Sequence, residues 1–292
     1  MISEQKLALG TVQFGLPYGV ANKAGMTPAH EAAGILQFAG RSGIDTLDTA
    51  VGYGESESVL GRLGVEDFRV VTKLPGLPHN EPGITSWVSD QVLGSIERLR
   101  LPVLGGVLLH RPGQLLDSYG SQLYSDLQSL KAEGLVKKIG ISIYEPSELD
   151  QLVPNFEFDL IQAPLSIVDR RLIDSGWARR LNDLGVEIHA RSCFLQGLLL
   201  MPAADRPGKF KRFESIWRAW DRWLSETRLS PVEACIRYAI SLPEIARVVV
   251  GVDSIAQLDE IVTAAKCSQF ELPDWPSSPE PLLLNPSNWT SL

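Results

Sequence analysis

The chain has 292 residues, of which 44% are hydrophobic and 21% are charged, a composition typical of a globular protein with a large core. The net charge of −8 comes from 35 acidic and 27 basic residues, and no basic run stands out. This charge pattern argues against nucleic acid or another polyanion as a partner.

Short apolar runs alternate with longer amphipathic stretches, which is the pattern of repeated β-α units and a parallel sheet. Strands are predicted at 6–12, 43–48, 69–74, 104–110, 137–142, 158–163, 186–191 and 246–252. Helices are predicted at 28–42, 55–63, 84–99, 120–133, 146–152, 169–184, 230–241 and 254–265. Eight such pairs, without a linker or a short repeat, favour an α/β fold of the (β/α)8 TIM barrel type, as a single domain spanning residues 1–292.

One long segment interrupts this alternation after the seventh strand. Phe213, Trp217, Trp220 and Leu224 recur there at helical spacing, so we predict an extra helix that buries an aromatic face on the barrel. Direct contact with a substrate is the alternative. The tail from residue 272 is rich in proline, and we predict that it is extended.

The termini and the cysteines narrow the class of protein further. The stretch MISEQKLALG has neither the basic nor the apolar region of a signal peptide, and no apolar run approaches the roughly 20 residues of a membrane-spanning helix. We therefore expect a cytoplasmic protein without a membrane partner. Cys193, Cys235 and Cys267 lack the short spacing of metal or redox motifs, so we interpret them as packed, reduced residues and expect no metal site.

Ionisable residues stand where the second, third and fourth strands end. Asp48 ends strand two and Tyr53 lies in its loop, whereas Lys73 and His110 end the next two strands. In a barrel these positions meet at one mouth. A nearby ammonium lowers the pKa of a phenol, a carboxylate keeps that ammonium charged, and an imidazole can hydrogen-bond an oxygen that gains charge. The set predicts Tyr53 as a general acid, although each residue taken singly also has a structural interpretation.

The segments LALGTVQFG, LDTAVGYG, VVTKL and VLLHR follow the order and approximate spacing of the aldo-keto reductase superfamily, which the chain resembles over nearly its whole length. The resemblance implies that Tyr53 donates the proton, that Lys73 and Asp48 adjust the pKa of Tyr53, and that His110 orients a carbonyl group. It also implies hydride transfer between a nicotinamide cofactor and an aldehyde, ketone or sugar hemiacetal. That family binds the cofactor without a Rossmann fold, and no G-x-G-x-x-G motif occurs here in a β-α-β context.

The resemblance further implies a cofactor site along the strand ends. Ser142 and Gln162 match contacts to the nicotinamide amide, but Ile143 stands where many members have Asn. Arg191 replaces the aromatic residue that stacks under the nicotinamide, and its planar guanidinium is a substitute for that ring. The other expected cofactor residues are Gly10, Thr11, Asp48, Ser192, Gln196, Gly197, Gly251, Asp253, Ser254, Gln257 and Glu260.

Both NADP and NAD remain candidate cofactors from the sequence. Members that prefer NADP commonly have Lys or Arg after the eighth strand to meet the 2′-phosphate, whereas this chain has Asp253 and Gln257 there. A carboxylate near a bound phosphate is unfavourable unless it caps the helix or faces away. We therefore predict weak discrimination between NADPH and NADH.

The predicted substrate is a small carbonyl compound, either sugar-like or aromatic. The residues expected to line its pocket are Tyr18, Trp87, Arg111, Phe194 and Trp217. An alternative function is a redox-sensing regulatory protein that binds the cofactor with little turnover, as the potassium-channel β subunits of the same superfamily do. A third interpretation, an aldolase or isomerase with Lys73 as a Schiff-base nucleophile, is disfavoured by the carboxylate of Asp48. The oligomeric state is not predicted.

Overall fold

The computed structural model describes residues 6–78, 83–267, 270, 273 and 280–292. Eight parallel strands close into a barrel in chain order, and the last strand pairs with the first. They are β1 Leu7–Gly10, β2 Thr46–Asp48, β3 Arg69–Leu74, β4 Gly106–Leu109, β5 Ile139–Ser142, β6 Leu160–Pro164, β7 Glu187–Arg191 and β8 Arg247–Gly251. The predicted (β/α)8 barrel is confirmed, whereas a single domain spanning 1–292 stays a prediction.

Most helices begin and end within two residues of their predicted bounds. They are α1 Ala29–Arg41, α2 Ser56–Leu63, α3 Ile84–Leu99, α4 Gly120–Ala132, α5 Glu148–Leu152, α9 Pro231–Ser241 and α10 Ile255–Ala265. The single helix predicted at 169–184 is wrong, because the structure has two: α6 Arg171–Asp174 and α7 Trp177–Asp183. Gly176 separates them with a φ of 78°, a left-handed conformation that ends a helix.

Alternation along the strands decides which side chains reach the barrel interior. Val71, Leu108 and Leu160 form a small interior core that is separate from the larger core between strands and helices. Side chains two positions further along a strand point to the same side. Those positions are Lys73, His110 and Gln162, so three strands deliver polar groups to the carboxyl end of the barrel.

The extra helix predicted after the seventh strand is present as α8, Glu214–Thr227. Trp217, Trp220 and Trp223 are buried on its inner face. The indole N–H of Trp217 donates to the Phe210 carbonyl at 2.9 Å, and that of Trp220 donates to the Leu199 carbonyl at 3.2 Å. This helix therefore stabilises the fold through aromatic packing with satisfied indole groups.

The described end of the tail is helical rather than extended. Helix α11, Pro281–Leu284, is followed by a 3-10 helix over Pro286–Ser291, and Leu283 and Leu284 are buried. Proline suits the first position of a helix, because its φ is already helical and its missing N–H is not needed there. Residues 272 and 274–279, also predicted to be extended, lie outside the described residues. Among the helices that are described, none has the length and apolar character required to cross a membrane.

Candidate active site

Lys73 and Asp48 form a buried ion pair beneath the mouth of the barrel. Lys73 Nζ lies 2.8 and 2.7 Å from the two carboxylate oxygens of Asp48 and donates to the Thr49 carbonyl at 2.9 Å. Their exposed fractions are 1% and 4%. Burial lowers the pKa of Lys73, and the carboxylate of Asp48 opposes that shift. Because Asp48 and Thr49 engage the ammonium group, the geometry does not support Lys73 as a Schiff-base nucleophile.

Two loops approach each other closely at Tyr53. Gly54 has a φ of 55°, and a Cβ atom there would lie 2.5 Å from the Gly15 carbonyl oxygen. A Cβ atom on Gly15 would lie 1.9 Å from the Tyr53 carbonyl oxygen. Gly52 has open space around it and no left-handed φ, so of the two glycines that flank Tyr53 only Gly54 is required by the backbone.

The side chains of Tyr53 and His110 face each other above the ion pair. Their rings meet edge to face with centroids 6.1 Å apart, and Lys73 Nζ lies 5.1 Å from the Tyr53 ring centroid. Within the described residues, neither the Tyr53 hydroxyl nor the His110 imidazole forms a side-chain hydrogen bond. Both groups therefore remain available to a ligand in front of them.

The protonation of these two groups follows from burial and from nearby charges. Burial and the Asp48 carboxylate raise the pKa of Tyr53, while Arg191 opposes the rise. The lowering expected from Lys73 is not found, since burial is the largest influence on this phenol and the Asp48 carboxylate adds to it. Burial, together with the charges of Lys73 and Arg191, lowers the pKa of His110 to about 4. At neutral pH the site thus holds a protonated phenol beside a neutral imidazole.

Gln162 connects the ion pair to the cleft. Its side-chain amide donates to Asp48 Oδ1 at 2.6 Å, and the Ser142 hydroxyl lies 3.5 Å from its carbonyl oxygen. Thr11 and Ser56 hydrogen-bond each other at 2.9 Å, and the Thr11 hydroxyl also donates to the Asp48 carbonyl. This network fixes the orientation of the strand ends around Asp48.

A cleft of about 620 Å³ runs from the loops after β2 and β4 to the first turns of α10. It is lined by most of the residues that the sequence singled out. These are Gly10, Thr11, Tyr18, Asp48, Tyr53, His110, Gln162, Arg191, Ser192, Phe194, Gln196, Gly197, Gly251, Asp253, Gln257 and Glu260. In the part of the chain that is described, no group of three His, Cys, Asp or Glu residues is arranged to hold a metal ion.

Three predicted cofactor or catalytic residues lie next to this cleft without lining it. Lys73 is beneath the floor in its ion pair, and Ser142 is buried behind Gln162. Ser254 caps α10 by accepting a hydrogen bond from the Gln257 N–H at 3.3 Å. These three residues therefore act on the cleft through the groups that they hold.

Three predicted substrate residues are not brought to the cleft. Trp87 is 8% exposed and packs into the core from helix α3. Trp217 packs into the core from the inner face of α8. Arg111 is exposed beyond β4 and its side chain runs alongside Gly76. For the two tryptophans the reason is the apolar face of a helix, which turns large aromatic side chains toward the core.

Sequence reasoning missed Tyr144, which lines the cleft and pairs with Arg191. The Arg191 guanidinium lies 4.6 Å from the Tyr144 ring centroid and donates to the Ile143 carbonyl at 2.8 Å and the Ser192 hydroxyl at 3.2 Å. Ile143 itself is fully buried. The sequence comparison drew attention to Ile143, but the next residue, Tyr144, is the one that faces the mouth of the barrel.

The loop after β1 forms a wall of the cleft through Tyr18, which was predicted to line it, and Asn22, which was not. Asn22 donates to Asp253 Oδ1 at 3.1 Å, and Gln196 donates to the Tyr18 hydroxyl at 3.0 Å. The Val20 N–H donates to the Gln196 carbonyl at 3.1 Å. One loop therefore contacts the loops after both β7 and β8, through residues that lie more than 170 positions apart.

Comparison with known proteins identifies the family. The model of the aldo/keto reductase family matches residues 6–276. The chain belongs to that family. An uncharacterized oxidoreductase of Bacillus subtilis, YqkF, is 26% identical over 267 residues, which cover 84% of this chain and 85% of that protein.

Two further relatives cover most of the chain. The NADH-specific methylglyoxal reductase of Escherichia coli is 26% identical over 241 residues, or 70% of each chain. The aldo-keto reductase AKR11C1 of Bacillus halodurans, in its holo form, superposes with a TM-score of 0.72 at 22% identity. That superposition covers 91% of this chain and 88% of the other, and it supports the shared fold.

The cleft fits the nicotinamide dinucleotide that this family of oxidoreductases implies. Gln13 lines the cleft, and its buried carbonyl oxygen has no donor among the described residues. A Cβ atom on Gly251 would lie 2.6 Å from the Gln13 side chain, so the strand end must stay bare there. The amides and carboxylates around these positions suit the carboxamide and ribose hydroxyls of such a ligand.

Proposed function

We propose that the protein is a nicotinamide-dependent oxidoreductase that interconverts a small aldehyde or ketone and its alcohol, with Tyr53 as general acid and base. One observation carries this proposal. The Tyr53 hydroxyl and the neutral His110 imidazole face an open cleft directly above the buried Lys73–Asp48 ion pair. Structural roles alone do not require a phenol and an imidazole without partners in one cleft.

The chain's own groups have distinct tasks in this reaction. The raised pKa keeps the proton on Tyr53 at neutral pH, so that it is available to the carbonyl oxygen. The neutral imidazole of His110 donates a hydrogen bond to that oxygen as its negative charge grows. Lys73, whose ammonium lies 5.1 Å from the ring centroid, is held in place there by Asp48. A bound nicotinamide would supply or accept the hydride.

The adenosine end of the cleft favours NADH over NADPH. Asp253 and Glu260 line that end, and Arg191 is the one Lys or Arg among the described lining residues of the cleft. Asp253 does not cap α10, because Ser254 does, and one of its oxygens accepts from Asn22 at 3.1 Å. A carboxylate in this setting suits a ribose 2′-hydroxyl and repels a 2′-phosphate. The NADH-specific relative from Escherichia coli has the same preference.

The redox-sensing alternative makes a different prediction about turnover. A regulatory protein of this fold binds the cofactor but leaves a carbonyl substrate almost unreacted. The Tyr53, His110, Lys73 and Asp48 side chains lie together at one end of the barrel, which favours the enzyme. Ile143 and Arg191, which depart from the family pattern, hydrogen-bond each other and are not hydrogen-bond partners of the Lys73–Asp48 pair.

The test combines cofactor binding with turnover. Wild-type protein is titrated with NADH and NADPH by tryptophan fluorescence, and NADH consumption is then followed with methylglyoxal, glyoxal and aldoses. We expect saturable NADH binding, turnover of at least one substrate, and a lower kcat/KM with NADPH. Asp253→Asn, which keeps the side-chain size and removes the charge, is expected to narrow the difference between the cofactors.

Each other outcome contradicts a defined part of the proposal. Binding without turnover of any substrate supports the regulatory alternative. A preference for NADPH of about a hundredfold in kcat/KM, which is ~2.7 kcal/mol, contradicts the cofactor assignment. No binding of either cofactor by folded protein contradicts the whole proposal.

A further inference from the structure

Arg191 gives the reacting end of the cleft a net positive charge. Lys73 is neutralised there by Asp48, and the Tyr53 phenol and His110 imidazole are uncharged at neutral pH. The remaining described acidic residues that line the cleft, Asp253 and Glu260, lie at or beyond the end of β8. Arg191 is thus the only charged side chain lining this end of the cleft that the described chain leaves unbalanced.

The polar contacts of Arg191 are all with neutral groups. Its guanidinium donates to the Ile143 carbonyl at 2.8 Å and to the Ser192 hydroxyl at 3.2 Å, and it lies 4.6 Å from the Tyr144 ring centroid. Among the described residues it forms no ion pair with a carboxylate. A partly buried guanidinium held in this way is stabilised by an anion that arrives with a ligand.

The direction of the side chain separates this cation from the adenosine end. Arg191 ends β7, and its guanidinium reaches past the end of β6 to the residues that follow β5, Ile143 and Tyr144. The loop after β8, which holds Asp253, lies on the other side of β7. The positive charge therefore points into the part of the cleft lined by Tyr53 and His110.

We propose that Arg191 is a specificity-determining residue that binds a carboxylate of the substrate, so that the preferred substrate is an oxo acid or an aldehyde that carries a carboxylate. The proposal rests on the reductase function above. A guanidinium binds carboxylates through two parallel N–H donors, and two nearby phenols supply further donors. Those phenols are Tyr144, in contact with Arg191, and Tyr18, which lines the same cleft.

The test compares charged substrates with uncharged analogues of nearly the same size. Glyoxylate, succinic semialdehyde and 4-carboxybenzaldehyde are each assayed against their methyl esters with wild-type enzyme, Arg191→Gln and Arg191→Lys. Because hydrogen bonds between charged groups are the strong ones, we expect wild type to favour at least one acid over its ester by about 10- to 100-fold in kcat/KM. Arg191→Gln removes this ratio, and Arg191→Lys retains part of it.

Arg111→Gln is the matched control. This variant also removes one positive charge that acts on His110, but the Arg111 side chain does not line the cleft. Its acid-to-ester ratio is expected to equal that of wild type. A ratio that falls as far in Arg111→Gln as in Arg191→Gln would show a general field effect and overturn the assignment.

A binding measurement keeps the inference testable without turnover. With saturating NADH, or with free protein if no cofactor binds, benzoate is expected to bind at least about tenfold more tightly than benzamide by calorimetry, and Arg191→Gln to lose that difference. Turnover of the esters without preference for any acid would sustain the proposed function and overturn the carboxylate site. A loss of NADH affinity in Arg191→Gln, with acids and esters affected equally, would assign Arg191 to the cofactor instead.

Discussion

Both ends of the barrel contain ion pairs, partly buried at the amino end and fully buried at the carboxyl end, but the polar groups around them differ. At the amino end, Glu187 accepts hydrogen bonds from Arg69 at 2.6 Å and from His189 at 2.7 Å, and it pairs with Lys138. At the carboxyl end, Asp48 and Lys73 also form an ion pair, but Tyr53 and His110 beside it have no side-chain hydrogen bond to any described residue and face a cleft of about 620 Å³.

This difference separates polar groups that are satisfied by the chain itself from polar groups that remain open to a ligand. The Glu187 carboxylate at the amino end is fully occupied by hydrogen bonds and ion pairs within the chain. At the carboxyl end, the Tyr53 hydroxyl and the His110 imidazole can still hydrogen-bond a ligand. The general rule for these barrels assigns function to the carboxyl end of the strands. Here the rule has a physical basis in the hydrogen-bond partners of individual side chains.

The largest expected effect comes from removing a single oxygen at the carboxyl end. Tyr53→Phe deletes the proposed proton donor, so we expect kcat to fall by about 100- to 10,000-fold in NADH-dependent reduction. Its free energy of unfolding should stay within ~0.5 kcal/mol of wild type, because the hydroxyl has no hydrogen-bond partner among the described residues. Rates and urea unfolding are measured on the same preparations.

Tyr238→Phe is the control for this substitution. The Tyr238 hydroxyl is also buried without a described partner, but it lies on α9 outside the cleft. Its kcat should equal that of wild type. If Tyr53→Phe retained most of its activity, another group would be the proton donor and the proposed mechanism would be wrong.

The second-largest effect is expected at the amino end, where a substitution should lower stability and leave kcat unchanged. Glu187→Gln leaves Arg69 and Lys138 without their carboxylate, and we expect it to lower the free energy of unfolding by about 2–4 kcal/mol. Its kcat per folded molecule should remain that of wild type, because Glu187 lies at the far end of the barrel. A stable Glu187→Gln variant with reduced kcat would break the division between the two ends.

The sequence predicted the carboxyl end better than the amino end. Asp48, Lys73 and His110 could be found because each stands at or just beyond the end of an apolar strand, where a barrel gathers its functional groups. Glu187 and His189 were not singled out, because their partners Arg69 and Lys138 lie in β3 and just before β5, far from β7 in the sequence. The sequence of one strand does not indicate which residues of other strands its charged side chains will contact.

Long-range contacts also explain what was missed inside the site. Tyr144 and Asn22 line the cleft only because Arg191 and Asp253 come from strands far along the chain. The pKa of Tyr53 was expected to fall beside Lys73 and Asp48, but burial, which is the largest cause, and the Asp48 carboxylate raise it. The burial of this phenol depends on residues from several strands, and no sequence pattern contains it.

The smallest expected effects distinguish the two ends by pH. Burial lowers the pKa of both His110 and His189, with Glu187 opposing the shift at His189. A folded histidine with a lowered pKa resists a proton that the unfolded chain accepts. Its stabilising contribution is therefore present above the unfolded pKa of about 6.5 and is lost as the pH falls below it. For His110 this loss is about 1 kcal/mol between about pH 7 and pH 5.5.

The pH dependence of kcat/KM should therefore differ from that of the free energy of unfolding over this pH range. With methylglyoxal, a neutral substrate, kcat/KM should show no acid limb near pH 6.5, since the pKa of His110 is about 4. The free energy of unfolding should fall as the pH falls, and His189→Gln should reduce that dependence without altering the rate profile. An acid limb near 6.5 that disappears in His110→Asn would mean that His110 is exposed to solvent as an ordinary imidazole. In that case the carboxyl end would lack the neutral hydrogen-bond donor on which the proposed chemistry depends.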